Sequence, residues 1–293
     1  MHLRSWLLTP GDSAKKLEKA AATGADVIVI DLECSVAPAK KALAREQAAA
    51  WLAIHRTQIL ENRKLGRWVR INAIDSRMWR DDVIAVMAGA PDGIILPKSA
   101  GPASIQHLAS EIYELEQRHG VASGSTRILP VVSGTAHAAL TINSYVDASM
   151  PRLAGLGWDA DALAAALGAS RQREPGVGWS DPFRLARGQT LLAAHARGEI
   201  ALETPHGDAA DLDGMKLAAV AARADGFTGM MAIHPAQVPV INAAFTPTEA
   251  EIAEARAIMA AFNGDPEIGA LQFDRRTIDK PQLRLARRRL GLD

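Results

Sequence analysis

Residues 26–31 read DVIVID, and residues 38–60 read PAKKALAREQAAAWLAIHRTQIL. The first is an unbroken apolar run between two acids, the pattern of a strand covered on both faces. The second opens on a proline, which suits a first helical turn, and continues as an alanine-rich amphipathic helix. The same unit recurs along the chain. Further strands are expected at Ser5–Leu8, Trp68–Ile71, Gly93–Leu96, Arg127–Val132, Arg152–Leu156, Ile200–Glu203 and Met230–Ile233. Helices are expected at Ser13–Thr23, Arg77–Ala88, Pro102–His119, Ala136–Asp147, Ala160–Leu167, Pro182–Arg197, Ala209–Ala224 and Pro247–Phe262. Eight strand–helix units in a chain of 293 residues predict an α/β fold of the (β/α)8 TIM-barrel type. An open doubly wound sheet is the competitor. However, TPGDSAKK, after the first strand, is neither a dinucleotide-binding glycine loop nor a phosphate-binding one. The barrel is assigned to residues 1–262. Residues 263–293, rich in Gly, Pro and Arg, form a C-terminal helical lid or oligomerisation arm.

Composition narrows the function. The chain has no net charge, 48% hydrophobic residues, 23% charged residues and one cysteine. It is too apolar to be disordered. A single cysteine excludes a disulfide scaffold and a cysteine-built zinc site. Neutral charge argues against a nucleic-acid-coating protein, and the tail arginines read as a solvated helix face. No run approaches the roughly 18 apolar residues of a membrane span. The start, MHLRSWLLTPGDSAKK, lacks the apolar core of a signal peptide, so the expected location is cytoplasmic.

In a barrel, chemistry gathers at the C-terminal strand ends. Those ends carry Asp31-Leu32-Glu33-Cys34, Arg70 and Asn72, Pro97-Lys98, Ser133-Gly134-Thr135, Trp158-Asp159-Ala160-Asp161, Glu203 and His234. Arg70, in the apolar stretch VRIN, reads either as a carboxylate clamp or as a buried ion pair with Asp31 or Glu33. Lys98 reads as a Schiff-base lysine, a phosphate contact or a solvated strand-end lysine. Cys34 reads as a nucleophile or a small buried residue, and His234 as a structural hydrogen-bonding group.

The segments RSWLLTPGDSAKKLEKA, DVIVIDLECSVAPAKKALAR, VRINAIDS, GIILPKS, LPVVSGTAHAAL, LAGLGWDADALAAALGAS, GFTGMMAIHPAQVPVINAAF and TIDKPQLRLARRRL resemble, in this order, the citrate lyase β-subunit-like group of the HpcH/HpaI aldolase superfamily. The resemblance implies a TIM barrel in a homo-oligomer, a trimer or hexamer. It implies a lyase for a carbon–carbon bond beside an acyl thioester, such as a citryl- or malyl-CoA-like substrate, with coenzyme A as part of the substrate. It also implies a magnesium ion held by two carboxylates. Arg70 matches the substrate-gripping arginine, Glu33 the glutamate of a DLED motif, and Asp279 a lid aspartate that reaches a neighbouring subunit. Pro97, Lys98, Thr135 and Trp158 border the substrate. The two metal-ligand positions fall on Gly134 and Ala162, with Asp159 and Asp161 as candidate replacements. The second reading is therefore a catalytically degenerate member that binds an acyl thioester or dicarboxylate, or serves as a structural partner in an oligomer.

Overall fold

A computed structural model describes residues 3–55, 65–174, 178–263 and 269–292. Eight parallel strands alternate with helices along the first part of the chain. They are β1 Ser5–Pro10, β2 Val27–Asp31, β3 Gly66–Arg70, β4 Gly93–Leu96, β5 Arg127–Pro130, β6 Gly155–Gly157, β7 Ile200–Glu203 and β8 Gly229–Ala232. Their order in the sheet is β5-β4-β3-β2-β1-β8-β7-β6. Parallel bridges Ile128–Leu153 and Val131–Gly157 join the two ends. That closure separates the expected barrel from an open doubly wound sheet.

The connecting helices are α1 Ala14–Ala21, α2 Lys41–His55, α3 Trp79–Met87, α4 Pro102–His119, α5 Ala136–Leu140, α6 Ala160–Leu167, α7 Asp181–Ala196, α8 Leu212–Asp225 and α9 Gln237–Phe245. The expected helix 38–60 is seen as a 3-10 turn, Pro38–Lys40, followed by α2. Its last residues, 56–60, lie outside the described residues. The expected helix Ala136–Asp147 breaks into α5 and a 3-10 turn at Ile142–Tyr145. At the break, the Thr141 hydroxyl donates back to the His137 and Ala138 carbonyls, at 3.2 and 3.0 Å. Such back-bonding competes with the helical ladder and bends it. A short antiparallel ribbon, Arg173–Glu174 with Gly178–Trp179, and α9 were not anticipated.

The strand period of two sorts side chains between two layers. Trp6, Val27, Val29, Trp68, Ile95, Leu129, Val131, Leu202 and Met231 pack together inside the barrel. Their neighbours Leu7, Ile28, Ile30, Val69, Ile94 and Leu96 face the helices. Trp6 and Trp68 meet edge to face at 4.9 Å and plug the interior. Gly93 makes room for them, since any side chain there would collide with the Trp68 ring. The series 27, 29, 31 on β2 and 68, 70 on β3 continues inward to the strand ends. Periodicity alone therefore aims Asp31 and Arg70 at the barrel mouth.

The chain divides into two compact units, Met1–Phe245 and Thr246–Asp293. In the second, α10 (Glu249–Asn263) packs on α11 (Lys280–Arg289) and on the hairpin of Ala270–Phe273 with Arg276–Asp279. Ala255, Ile258, Phe262, Ile278 and Ala286 form its core. The division drawn at residue 262 from the sequence thus cuts this unit, because α10 buries its apolar face on the tail. Arg276 and Arg289 of the tail both pair with Glu254, at 2.5 and 3.3 Å.

Candidate active site

The centre of the site is a register pair. Asp31 and Arg70 lie opposite each other on β2 and β3. Arg70 Nε and Nη2 donate to Asp31 Oδ1 and Oδ2, both at 2.8 Å, in a two-pronged charge-assisted contact. Burial alone would raise the Asp31 pKa, but the Arg70 guanidinium and the Ser35 and Glu33 backbone amides bring it down to about 2. Arg70 Nη2 also donates to Cys34 Sγ at 2.8 Å. Burial pushes the Cys34 thiol pKa up. Among the described residues, Arg70 Nη1 makes no hydrogen bond, so this prong is unspent.

Glu33 sits one step further out. Its Oε2 is 3.7 Å from Arg70 Nε, and its Oε1 is 3.7 Å from Lys98 Nζ. Burial raises its carboxyl pKa against the pull of Arg70. Side-chain exposure climbs from 1% at Asp31 through 7% at Arg70 and 16% at Glu33 to 44% at Lys98. The cluster therefore opens to solvent on the Lys98 side. Beneath it, Lys41 Nζ donates to the Leu32 and Glu33 carbonyls, each at 2.5 Å, and to Asn72 Oδ1 at 2.9 Å. Asn72 in turn donates to buried Asp82. Lys41 and Asp82 were missed by sequence reading. Both lie on helices, where a single polar residue on a mixed face gives no signal of what it reaches.

The remaining candidates of the barrel lie just after the other strand ends. Thr135 Oγ1 accepts from the Ala138 amide and caps α5. The Trp158 indole is fully buried and donates to Glu203, with Trp179 edge-on at 5.0 Å. Pro97 is buried and Lys98 follows it at φ +52°. Asp159 caps α6, its Oδ1 accepting from the Ala162 amide at 2.9 Å. Asp161 is exposed and accepts from Gln172 Nε2 at 2.6 Å. His234 Nδ1 takes the Ala236 amide. Asp279 belongs to the second unit, where it forms a capping box with Gln282 at the start of α11, and its Oδ1 is buried without a partner among the described residues.

Residues 4–235 match the HpcH/HpaI aldolase/citrate lyase family. The chain belongs to that family. It is 33% identical over 287 residues to a citrate lyase subunit beta-like protein of Mycobacterium tuberculosis, covering 97% of this chain and 94% of that one. It is 32% identical over 284 residues to the L-malyl-CoA/beta-methylmalyl-CoA lyase of Cereibacter sphaeroides, covering 89% and 84%. Its fold is similar to that of CitE from M. tuberculosis in complex with magnesium, acetoacetate and coenzyme A. That likeness has a TM-score of 0.76 and 32% identity, covering 99% of this chain and 97% of that one.

Those complexes raise the question of whether the residues here suit magnesium. A hard divalent ion takes oxygen ligands and usually one or two carboxylates. Gly134 and Ala162 bring no side-chain oxygen. The space at Gly134 is filled: a Cβ there would stand 2.8 Å from Lys98 Cγ and 3.1 Å from Lys98 Cα. Asp159 is engaged in its cap and Asp161 with Gln172. Among the described residues, no three His, Cys, Asp or Glu side chains are grouped to hold a metal. These residues do not fit the ion. Among them, too, no helix is long and apolar enough to cross a membrane.

Proposed function

We propose that this chain is a carbon–carbon bond lyase for a β-hydroxyacyl thioester of the citryl- or malyl-CoA kind. The observation that carries the reading is Arg70, fixed by Asp31 yet with Nη1 unspent, beside a half-buried Glu33 at the barrel mouth. A guanidinium so held presents a rigid donor edge to a ligand carboxylate. Glu33, with its pKa raised by burial, is suited to take part in proton exchange with a ligand. In the cleavage direction the hydroxyl proton passes to a base. The carbon–carbon electron pair moves to the thioester carbonyl as an enolate, and the enolate carbon then takes up a proton. The products are a free oxo acid and a shortened acyl thioester, with no change in overall oxidation state.

Asp279 and the second unit act as a lid across a subunit boundary in a homotrimer or hexamer, and the enzyme works in the cytoplasm. Support for the lid comes from Asp279 Oδ1, buried and without a partner among the described residues, in a separately packed unit. A binding-only role draws its support from the same site: Gly134 and Ala162 leave it without carboxylate ligands. The test is to incubate the protein with L-malyl-CoA and with citryl-CoA and to assay release of the oxo acid. Release abolished by Arg70→Lys supports the lyase. Thioester binding without release from either substrate transfers the case to the binding-only reading.

A further inference from the structure

Lys98 departs from its surroundings in three ways. Its backbone lies in the left-handed region, φ +52°, which side chains other than glycine seldom adopt. That conformation turns it across the mouth from β4 towards the segment after β5. Its Cα, backbone nitrogen and Cγ lie within 3.3 Å of where a side chain at Gly134 would begin. The two positions exclude each other: a bulky residue at 134 and this Lys98 backbone cannot coexist without a shift. Finally, its ammonium faces one oxygen of Glu33 while Arg70 faces the other, each at 3.7 Å. That separation is an ion pair but is too long for a hydrogen bond, so both cations keep N–H donors for a ligand.

We infer that Lys98 supplies, in this chain, the positive charge that faces the oxo oxygen of a bound oxo-carboxylate, so that Arg70 and Lys98 bind such a ligand without a divalent ion. The inference rests on the reading of the Arg70 mouth as the substrate site. The ligand class follows from the two donors. The Arg70 Nη1 edge suits a carboxylate, and a compact ammonium with three donors suits a carbonyl or enolate oxygen beside it. Glu33 lies between them and keeps the two cations together when no ligand is bound. Magnesium has no place in this arrangement, because Lys98 fills the space beside Gly134 and repels a second cation.

Isothermal titration with oxaloacetate tests this, using the full chain in EDTA and again in excess magnesium chloride. The expected result is the same affinity in both buffers and no heat from magnesium alone. Lys98→Met is expected to weaken binding at least tenfold in EDTA, and Lys98→Arg to recover most of the loss. Lys98→Gly repeats the deletion with a residue that accepts the left-handed backbone, so a folding defect in Lys98→Met cannot mimic the effect. Binding that requires magnesium overturns the inference and leaves the lyase reading standing. Wild-type affinity in both Lys98→Met and Lys98→Gly overturns it as well. No oxaloacetate binding in either buffer, together with no thioester turnover, removes both.

Discussion

Two buried arginine–carboxylate pairs stand at opposite ends of the barrel strands. Near the N-terminal end, Arg152 grips Glu116 of α4 through both Nη atoms, at 2.7 and 2.6 Å. The Gly124 and Thr126 amides also donate to Glu116, and Arg152 donates to the Thr126 carbonyl. At the C-terminal end, Arg70 grips Asp31 side-on, through Nε and Nη2, both at 2.8 Å. The difference lies in what is left over. Glu116 is fully buried and surrounded by donors, and the pair bolts α4 to the start of β5 and β6. Arg70 keeps a free prong, a soft contact to Cys34 and a loose one to Glu33. The same kind of ion pair is therefore a rivet where the carboxylate is enclosed by donors at the base of the strands, and a site where it borders Glu33 and the half-exposed Lys98 at their C-terminal ends.

The largest effect should come from breaking the rivet. Arg152→Met leaves the Glu116 charge buried without its partner and is expected to cost about 3–5 kcal/mol in urea unfolding. A loss below about 1 kcal/mol would show that the pair does not hold the fold. Next comes acid. The Asp31 pKa is about 2 in the fold against an ordinary 3.8, so the unfolded chain takes up the proton first. The stabilisation is complete above pH 4 and is lost as pH falls through 2, amounting to something on the order of 2 kcal/mol. Asp31→Asn should flatten that part of the stability–pH curve; an unchanged slope would remove Asp31 as its source. Gly134→Ala presses a methyl onto the Lys98 backbone and is expected to destabilise by about 1–3 kcal/mol. An unchanged midpoint would mean that Lys98 moves aside freely. The smallest effect is expected for Lys98→Gly, which relieves the left-handed backbone and should stabilise by about 1 kcal/mol or less. Destabilisation there would contradict a strain kept for ligand binding.

The barrel was legible because apolar runs and amphipathic helices follow the two backbone periods, and inward aim at a strand end follows from counting by two. The rule that chemistry gathers at C-terminal strand ends, together with the family resemblance, singled out Arg70 and Glu33. The same rule passed over Arg152, which opens the expected strand Arg152–Leu156 at its N-terminal end, and the sequence does not show that Glu116 of α4 becomes its partner. Lys41 escaped for the same reason, since its role depends on reaching carbonyls of the β2 loop. The position of Lys98 was illegible too. Its left-handed backbone falls on a residue that ordinarily avoids that region, and its packing on Gly134 is set by the meeting of two loops after β4 and β5. The tail reads as a helical lid or arm by itself, and α10 joins it to make a small unit with a core.

The contrast between the two pairs is tested most directly by one measurement: the oxaloacetate affinity of folded Arg70→Lys and folded Arg152→Lys, compared with the wild type by calorimetry. Lysine keeps the charge in both but loses the fork. Arg70→Lys is expected to bind roughly 13- to 160-fold more weakly, the range of about 1.5–3 kcal/mol for hydrogen bonds to a charged group. Arg152→Lys, once folded, is expected to bind as the wild type does. Equal losses in the two variants, or wild-type affinity in Arg70→Lys, would contradict the assignment of ligand binding to the open pair.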